Sequence, residues 1–147
     1  MGALLFSSVR AATAAPSDPT RPQGDTHGLS DQPNHKTVDL TAYSPSVGAT
    51  PVAAYVRIPF RCQIVQASSV LGGAITTADS LVACAVNGGA AFATIQIVQP
   101  GSAAGQVNTV LPAAATYANE NDSVAFTPSG ASGANISAAF SLTIRQL

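Results

Sequence analysis

The first residues in this sequence able to do chemistry are two carboxylates set two positions apart. Glu120 and Asp122 stand in "ANEND", each flanked by asparagine. A carboxylate pair can run glycoside hydrolysis, one group as acid and the other as base or nucleophile. The same oxygens could contribute to a Ca²⁺ site. The spacing is not that of an EF-hand loop, and a polar cluster ahead of a β-prone run is the usual form of a turn. The turn is therefore the reading carried forward. His27 and His35, with Asp25 and Asp31, are the next candidates, as metal ligands. Their spacing fits none of the common zinc patterns, so no metal and no cofactor is expected. Cys62 and Cys84 are too few for a disulfide framework and read as small buried hydrophobes. If the strands around them pair in one sheet, the two sulfurs come close. Gly72-Gly73 and Gly88-Gly89 have neither the phosphate-loop form nor a helix to follow.

The missing residue types carry more weight. From Val38 onward the chain has no His and no Lys, and its only charges are Asp39, Arg57, Arg61, Asp79, Glu120, Asp122 and Arg145. A serine or cysteine nucleophile needs a base beside it. Neither histidine nor lysine can supply one there, and no enzyme is expected.

The elements that must position these residues are short strands. "VDLTAYS" and "AAYVRIPF" come first, then "RCQIVQASSVL", in which Cys62, Ile64 and Gln66 alternate with Arg61, Gln63 and Val65. "SLVACAVN" is apolar on both faces, with Leu81, Ala83 and Ala85 on one and Val82, Cys84 and Val86 on the other, as in a strand covered on both sides. Asn87-Gly88 is a tight-turn signal, and "AAFATIQIVQ" returns from it. "QVNTVLP", "DSVAFTPSG" and "NISAAFSLTIRQL" complete a set of about eight, a count typical of sandwiches and small barrels. Phe140, Leu142 and Ile144 form one face of the last. Pro112–Glu120 is the one place suited to a helical turn. Asp79 is expected to serve the turn near Thr76 by accepting from nearby backbone amides. The pattern is that of an all-β protein: an antiparallel β-sandwich, jelly roll or small barrel.

Residues 1–37 have another texture. "PSDPTRPQGDTHGLSDQPNHK" carries four prolines, two glycines and charges of both signs, with neither period 2 nor period 3.6. It reads as an extended arm, tipped by the apolar "ALLFSSV", on a β-body of residues 38–147. Such a tip is either an anchor that orders on a partner or a terminus of no consequence. Arg10 interrupts the apolar stretch, so a signal peptide is not expected. Phe6 stands where myristoylation prefers Ser or Thr.

Composition bounds the partners. Charged residues make up 9% of the 147 and the net charge is -1, against a usual charged share near 25%. No field exists to attract nucleic acid or an anionic membrane. "VLGGAITTADSLVACAVNGG" is too punctuated by Gly, Thr and Asp79 to be a membrane span. Interface cores are depleted in charge, so self-association or a large protein partner is favoured.

The run "YVRIPFRCQIVQASSVLGGAITTADSLVACAVNGGAAFATIQI", then "GSAAGQV", then "NDSVAFTPSGASGANISAAFSLTI" resembles the small head-decoration (cement) proteins of tailed bacteriophages, over residues 52 to 146. Asn121-Asp122 stands where that pattern has Gly-Asp. The resemblance implies a compact sandwich on the outer surface of a virion, assembled as a homotrimer or dimer. It also implies that the body clamps neighbouring major capsid subunits. The arm would then bind a partner, with Leu4, Leu5, Phe6 and Val9 as apolar anchor and Arg10 and Arg21 as polar fixings. A tail- or fibre-associated receptor-binding module, or a secreted carbohydrate-binding β-sandwich, are the alternatives.

Overall fold

Alternation at period 2 produces nine antiparallel strands in the computed structural model, which describes residues 36–130 and 132–147. They are β1 (Thr37–Ser44), β2 (Ala54–Arg57), β3 (Cys62–Leu71), β4 (Ser80–Val86), β5 (Ala91–Ile97), β6 (Val107–Val110), β7 (Thr116–Ala118), β8 (Ser123–Pro128) and β9 (Ala138–Gln146). The first 35 residues are a separate unit of the chain and lie outside the described residues. So, therefore, do Leu4, Leu5, Phe6, Val9, Arg10 and Arg21.

The strands form two sheets. The first runs β1-β9-β3-β6, with β7 also paired to β3; the second runs β2-β8-β4-β5. Pairing is nested. β4 pairs β5, β3 pairs β6, β2 pairs β8 and β1 pairs β9, each antiparallel. The innermost turn is at Asn87-Gly88. Both residues have positive φ, 50° and 73°, and Gly89 N donates to Val86 O at 2.8 Å. That is the primed two-residue turn, whose twist matches the strands it joins. Glycine at position 88 adopts it without the steric cost a Cβ imposes.

One core lies between the sheets. Val82, Cys84, Ile95, Ile97, Val124 and Phe126 project from the second sheet, and Cys62, Ile64, Phe140, Leu142 and Ile144 from the first. Phe126 and Phe140 stack across the gap, ring centroids 4.8 Å apart and planes 3° from parallel. The expected inward face of the last strand is thus the observed one. So is the all-β class in two antiparallel sheets.

Three expectations differ. Pro112–Glu120 forms no helical turn; it contains β7. Alanine's helix propensity is worth only tenths of a kcal/mol per residue. Thr116 and Tyr117 are β-prone, and pairing with Cys62–Ile64 satisfies their backbone. Second, β3 does not alternate throughout. Its register with β9 shifts between Ile64 and Gln66. The extra residue turns Gln66 outward and puts Ala67, Ser69 and Leu71 in the core. Third, β4 is covered on one face only. Ser80, Val82 and Cys84 are buried, while Leu81 is 46% exposed.

The β1–β2 connection packs on the loop before β9. Val47 N donates to Ile136 O at 2.7 Å and Ala49 N to Ala134 O at 3.0 Å. A Cβ at position 48 would sit 2.1 Å from the Ala134 carbonyl oxygen, so only glycine lets these two backbones approach.

Candidate docking surface

The groups able to do chemistry are taken up by structure. Asn119 N donates to Asp122 Oδ2 at 2.7 Å and Asn87 Nδ2 to Asp122 Oδ1 at 2.8 Å. The Asn119 amide and, next, the Asn87 amide group hold the Asp122 carboxyl below its ordinary range. Asn121 has φ 74°, the conformation a glycine would take, which asparagine tolerates better than most residues. The 119–123 segment is therefore the expected turn, and Asp122 ties it to the β4–β5 hairpin. Glu120 is exposed beside it.

Asp79 serves backbone, but not that of its own turn. Gln99 N donates to its Oδ1 and Gln96 Nε2 to its Oδ2, both at 2.9 Å. These bonds, the Gln99 amide first, lower its pKa. It clamps the open end of the hairpin whose closed end Asn87 holds.

The cysteines are free and buried, Cys62 in β3 and Cys84 in β4, hence in different sheets. Burial pushes the Cys84 thiol up to about 12. Burial also raises Cys62, with the Asp122 charge adding to it. Neither supplies thiolate at neutral pH. Among the described residues no group of three or more His, Cys, Asp or Glu comes together. No helix among them is long and apolar enough to cross a membrane.

What remains is surface. On the second sheet's outer face, Tyr55, Ala125, Ala85 and Ala91 lie side by side across four strands. Thr127, Ala83 and Thr94 form the next row, and Leu81 and Gln96 the one after. Small uncharged side chains pave the middle of this face, with Tyr55 and Arg57 outward at one end and Leu81 and Gln96 at the other. Tyr55 is 67% exposed at one end and Leu81 stands at the other. The nearest cation, Arg57, donates to Asn121 Oδ1 at 2.9 Å. Small side chains let another backbone come close, and the lack of charge removes the desolvation cost that would oppose it.

The first sheet's outer face is different. Thr41, Ser141, Ser68 and Thr109 form a hydroxyl row across it. Thr37, Arg145, Gln63 and Tyr117 form another near one end. Asp39 accepts from Thr143 Oγ1 at 2.5 Å, and Arg145 donates to Gln63. An open groove of about 490 Å³ runs beside the β3 bulge, between Val65 and the Leu111–Pro112 segment, with Arg145 and Gln63 at its rim.

None of the surface residues singled out here was a sequence candidate. The signal was present for Leu81, Ala83 and Ala85, an apolar face opposite a second apolar face. Tyr55 gave none beyond its place in an alternating strand. Comparison with protein-family models, with curated proteins and with solved structures finds no match to this chain.

Proposed function

We propose that this chain is a structural virion protein, a head decoration (cement) protein of a tailed bacteriophage. It binds the outside of the capsid and clamps neighbouring major capsid subunits. The observation that carries the reading is the middle of the second sheet's outer face, paved with alanine and threonine, flanked by Tyr55 and Leu81, with its one cation, Arg57, already bonded to Asn121. A face of this kind gains by being covered, and the residues beside it offer no catalytic cluster.

The strand order supports a jelly roll. With β7 taken as an accessory at the edge of β3, eight strands remain, in the orders β1-β9-β3-β6 and β2-β8-β4-β5. That is the order made when a nested four-pair ribbon rolls over its own core. Viral capsid domains use this architecture, as do lectins and cupins. The fold alone therefore leaves the function to the surface.

The mechanism is multivalent. Burying a leucine side chain fully is worth about 1.5–3 kcal/mol, so one face holds a partner only modestly. Several faces and arms on one lattice add avidity through effective concentration. In this reading Leu4, Leu5, Phe6 and Val9 anchor the arm along a capsid subunit, with Arg10 and Arg21 fixing it by polar contacts. Ordering of the arm on binding costs entropy that the new contacts offset.

The test is co-sedimentation of the purified full chain with undecorated heads, followed by cryo-EM of the mixture. Density over the head lattice is expected, and a Leu81→Asp, Ala85→Glu variant that melts like the wild type should be left in the supernatant. Undiminished binding of that variant would remove the role of the face. Density confined to the tail would overturn the decoration reading in favour of a receptor-binding module.

A further inference from the structure

β1 is an edge strand of the first sheet. Among the described residues, β1 has β9 on one side and no paired strand on the other. Gln146 N donates to Lys36 O at 2.9 Å. Antiparallel ladders alternate, so Lys36, Val38, Leu40, Ala42 and Ser44 bond towards β9. Thr37, Asp39, Thr41 and Tyr43 then aim their N–H and C=O groups off the sheet. No described residue hydrogen-bonds to the backbone of these four outside the β1–β9 ladder.

Most exposed edges carry a defence such as an internal Pro or Lys, an inward charge or a bulge. This one pairs with β9 over eight unbroken positions. The one charge within β1, Asp39, points outward and is held by Thr143, and Lys36 stands only at the rung before the strand begins. Its inward side chains Val38, Leu40 and Ala42 are only partly buried, because β2 beneath them has four residues against the eight of β1. A strand added at this edge would therefore satisfy backbone groups and cover apolar surface together.

We propose that the occupant is β1 of a second copy, antiparallel about a twofold axis through Leu40, joining two first sheets into one continuous sheet. Matching faces require inward residues to oppose inward ones. With Leu40 opposite the second copy's Leu40, Val38 opposes Ala42 and the three apolar pairs line one side. On the other side Asp39 opposes Thr41, whose hydroxyl can donate to it, and Thr37 opposes Tyr43. The four outward residues then form mutually bonded pairs, about eight backbone hydrogen bonds in all. Neighbouring registers are worse for stated reasons. Centring on Asp39 sets two carboxylates face to face, which is unfavourable for cross-strand pairs. Centring on Thr41 sets Thr37 against Pro45, which has no N–H to give. Charge and proline thus select one register, and the product is a twofold pair rather than a trimer. The inference does not depend on capsid binding, and its test uses the isolated full chain.

Sedimentation equilibrium at high micromolar concentration should give a dimer. Thr41→Pro removes an outward N–H while leaving the β9 ladder intact, a substitution edge strands accept. It should raise the dimer dissociation constant about tenfold or more, since two symmetric bonds are lost at once. Leu40→Cys places two thiols at a non-hydrogen-bonded position, where Cα atoms lie about 4.5 Å apart, within disulfide reach. Mild oxidation with glutathione disulfide should link it into a dimer on a non-reducing gel. Val38→Cys, which faces Ala42, should stay unlinked. Should Leu40→Cys fail to fold, the exposed pair Asp39→Cys with Thr41→Cys tests the same register. A wild-type monomer throughout the concentration range would overturn the proposal. So would equal cross-linking at positions 38 and 40. A monomer whose Thr37, Asp39, Thr41 and Tyr43 amides resist hydrogen exchange would assign the edge to another occupant and overturn it too.

Discussion

The two outer faces of this protein come from the same kind of strand and share one core, yet they leave different chemistry at the surface. The first sheet shows rows of hydroxyls and the Asp39 and Arg145 side chains, each already bonded to a neutral neighbour, beside one apolar row of Tyr43, Ala139, Val70 and Val107. Water serves the hydroxyl rows well. The second sheet shows alanine and threonine between Tyr55 and Leu81, and water serves it poorly. An edge on the first sheet and a face on the second are thus two places where association gains. One offers backbone hydrogen bonds, the other desolvation of apolar surface. A chain with 9% charged residues can divide its surface this way without large single-sign fields.

The largest effect comes from removing what the faces share. Phe140→Ala breaks the stack with Phe126 and empties a fully buried site, which costs about 3–5 kcal/mol. Urea unfolding followed by circular dichroism and by Tyr fluorescence should show one coincident transition at lower midpoint. Two separated transitions would mean that the sheets, and hence the faces, stand independently.

Next, a charge on each face separates their roles. Leu81→Asp should weaken binding to undecorated heads by about tenfold or more, the scale of one leucine side chain lost from an interface. Thr109→Asp, on the hydroxyl face, should leave it within about threefold, as peripheral contacts do. Both should melt within a few degrees of the wild type, since surface substitutions cost little. Equal loss from both would erase the contrast.

A smaller effect is set by pH. Asp79 and Asp122 tie opposite ends of the β4–β5 hairpin, and hydrogen bonds to their ionised forms lower both pKa values from 3.8. The folded-state value lies below the unfolded one. Their contribution is therefore complete above the unfolded value and is lost as pH falls through the folded value. The urea midpoint should hold steady down to about pH 5 and fall below about pH 4. Asp79→Asn with Asp122→Asn should lower the plateau and flatten that fall. An unchanged acid limb would place the acid sensitivity elsewhere.

The smallest concerns Ser69, whose Oγ is buried without a hydrogen-bond partner beside Asn108 Nδ2 in the same condition. Ser69→Ala deletes an unsatisfied hydroxyl, and the melting temperature should hold or rise, by about 1 kcal/mol of stability at most. A clear loss would show that the hydroxyl is bonded in solution.

Legibility in the sequence tracked how local each signal was. The Asn87-Gly88 turn was readable because φ > 0 at both positions demands those residue types. The inward face of β9 was readable because Phe140, Leu142 and Ile144 alternate with polar residues. The bulge at Val65 was not, since Val, Gln and Ala on either side give no break in β-propensity. β7 was masked by the alanines before it, and it exists because β3 had an edge to offer. The open face of β4 was invisible for a simpler reason. Leu81, Ala83 and Ala85 look like core residues, and only a folded neighbourhood shows that the described residues leave Leu81 exposed and Ala83 and Ala85 half-buried.

The nested pairing also sets an order of events during synthesis. β4 and β5 close on each other as soon as the Asn87-Gly88 turn has been made. β3 then waits for β6, β2 for β8, and β1 for β9. The Asp39–Thr143 bond spans 104 residues, so the first described strand to emerge from the ribosome is the last to find its partner. Long-range closure of this kind is slow, and strands left unpaired meanwhile are prone to wrong contacts. β1 stays without its β9 partner until Gln146 has been made. For that interval the strand's backbone groups that will face β9 are open to water and to any other extended chain.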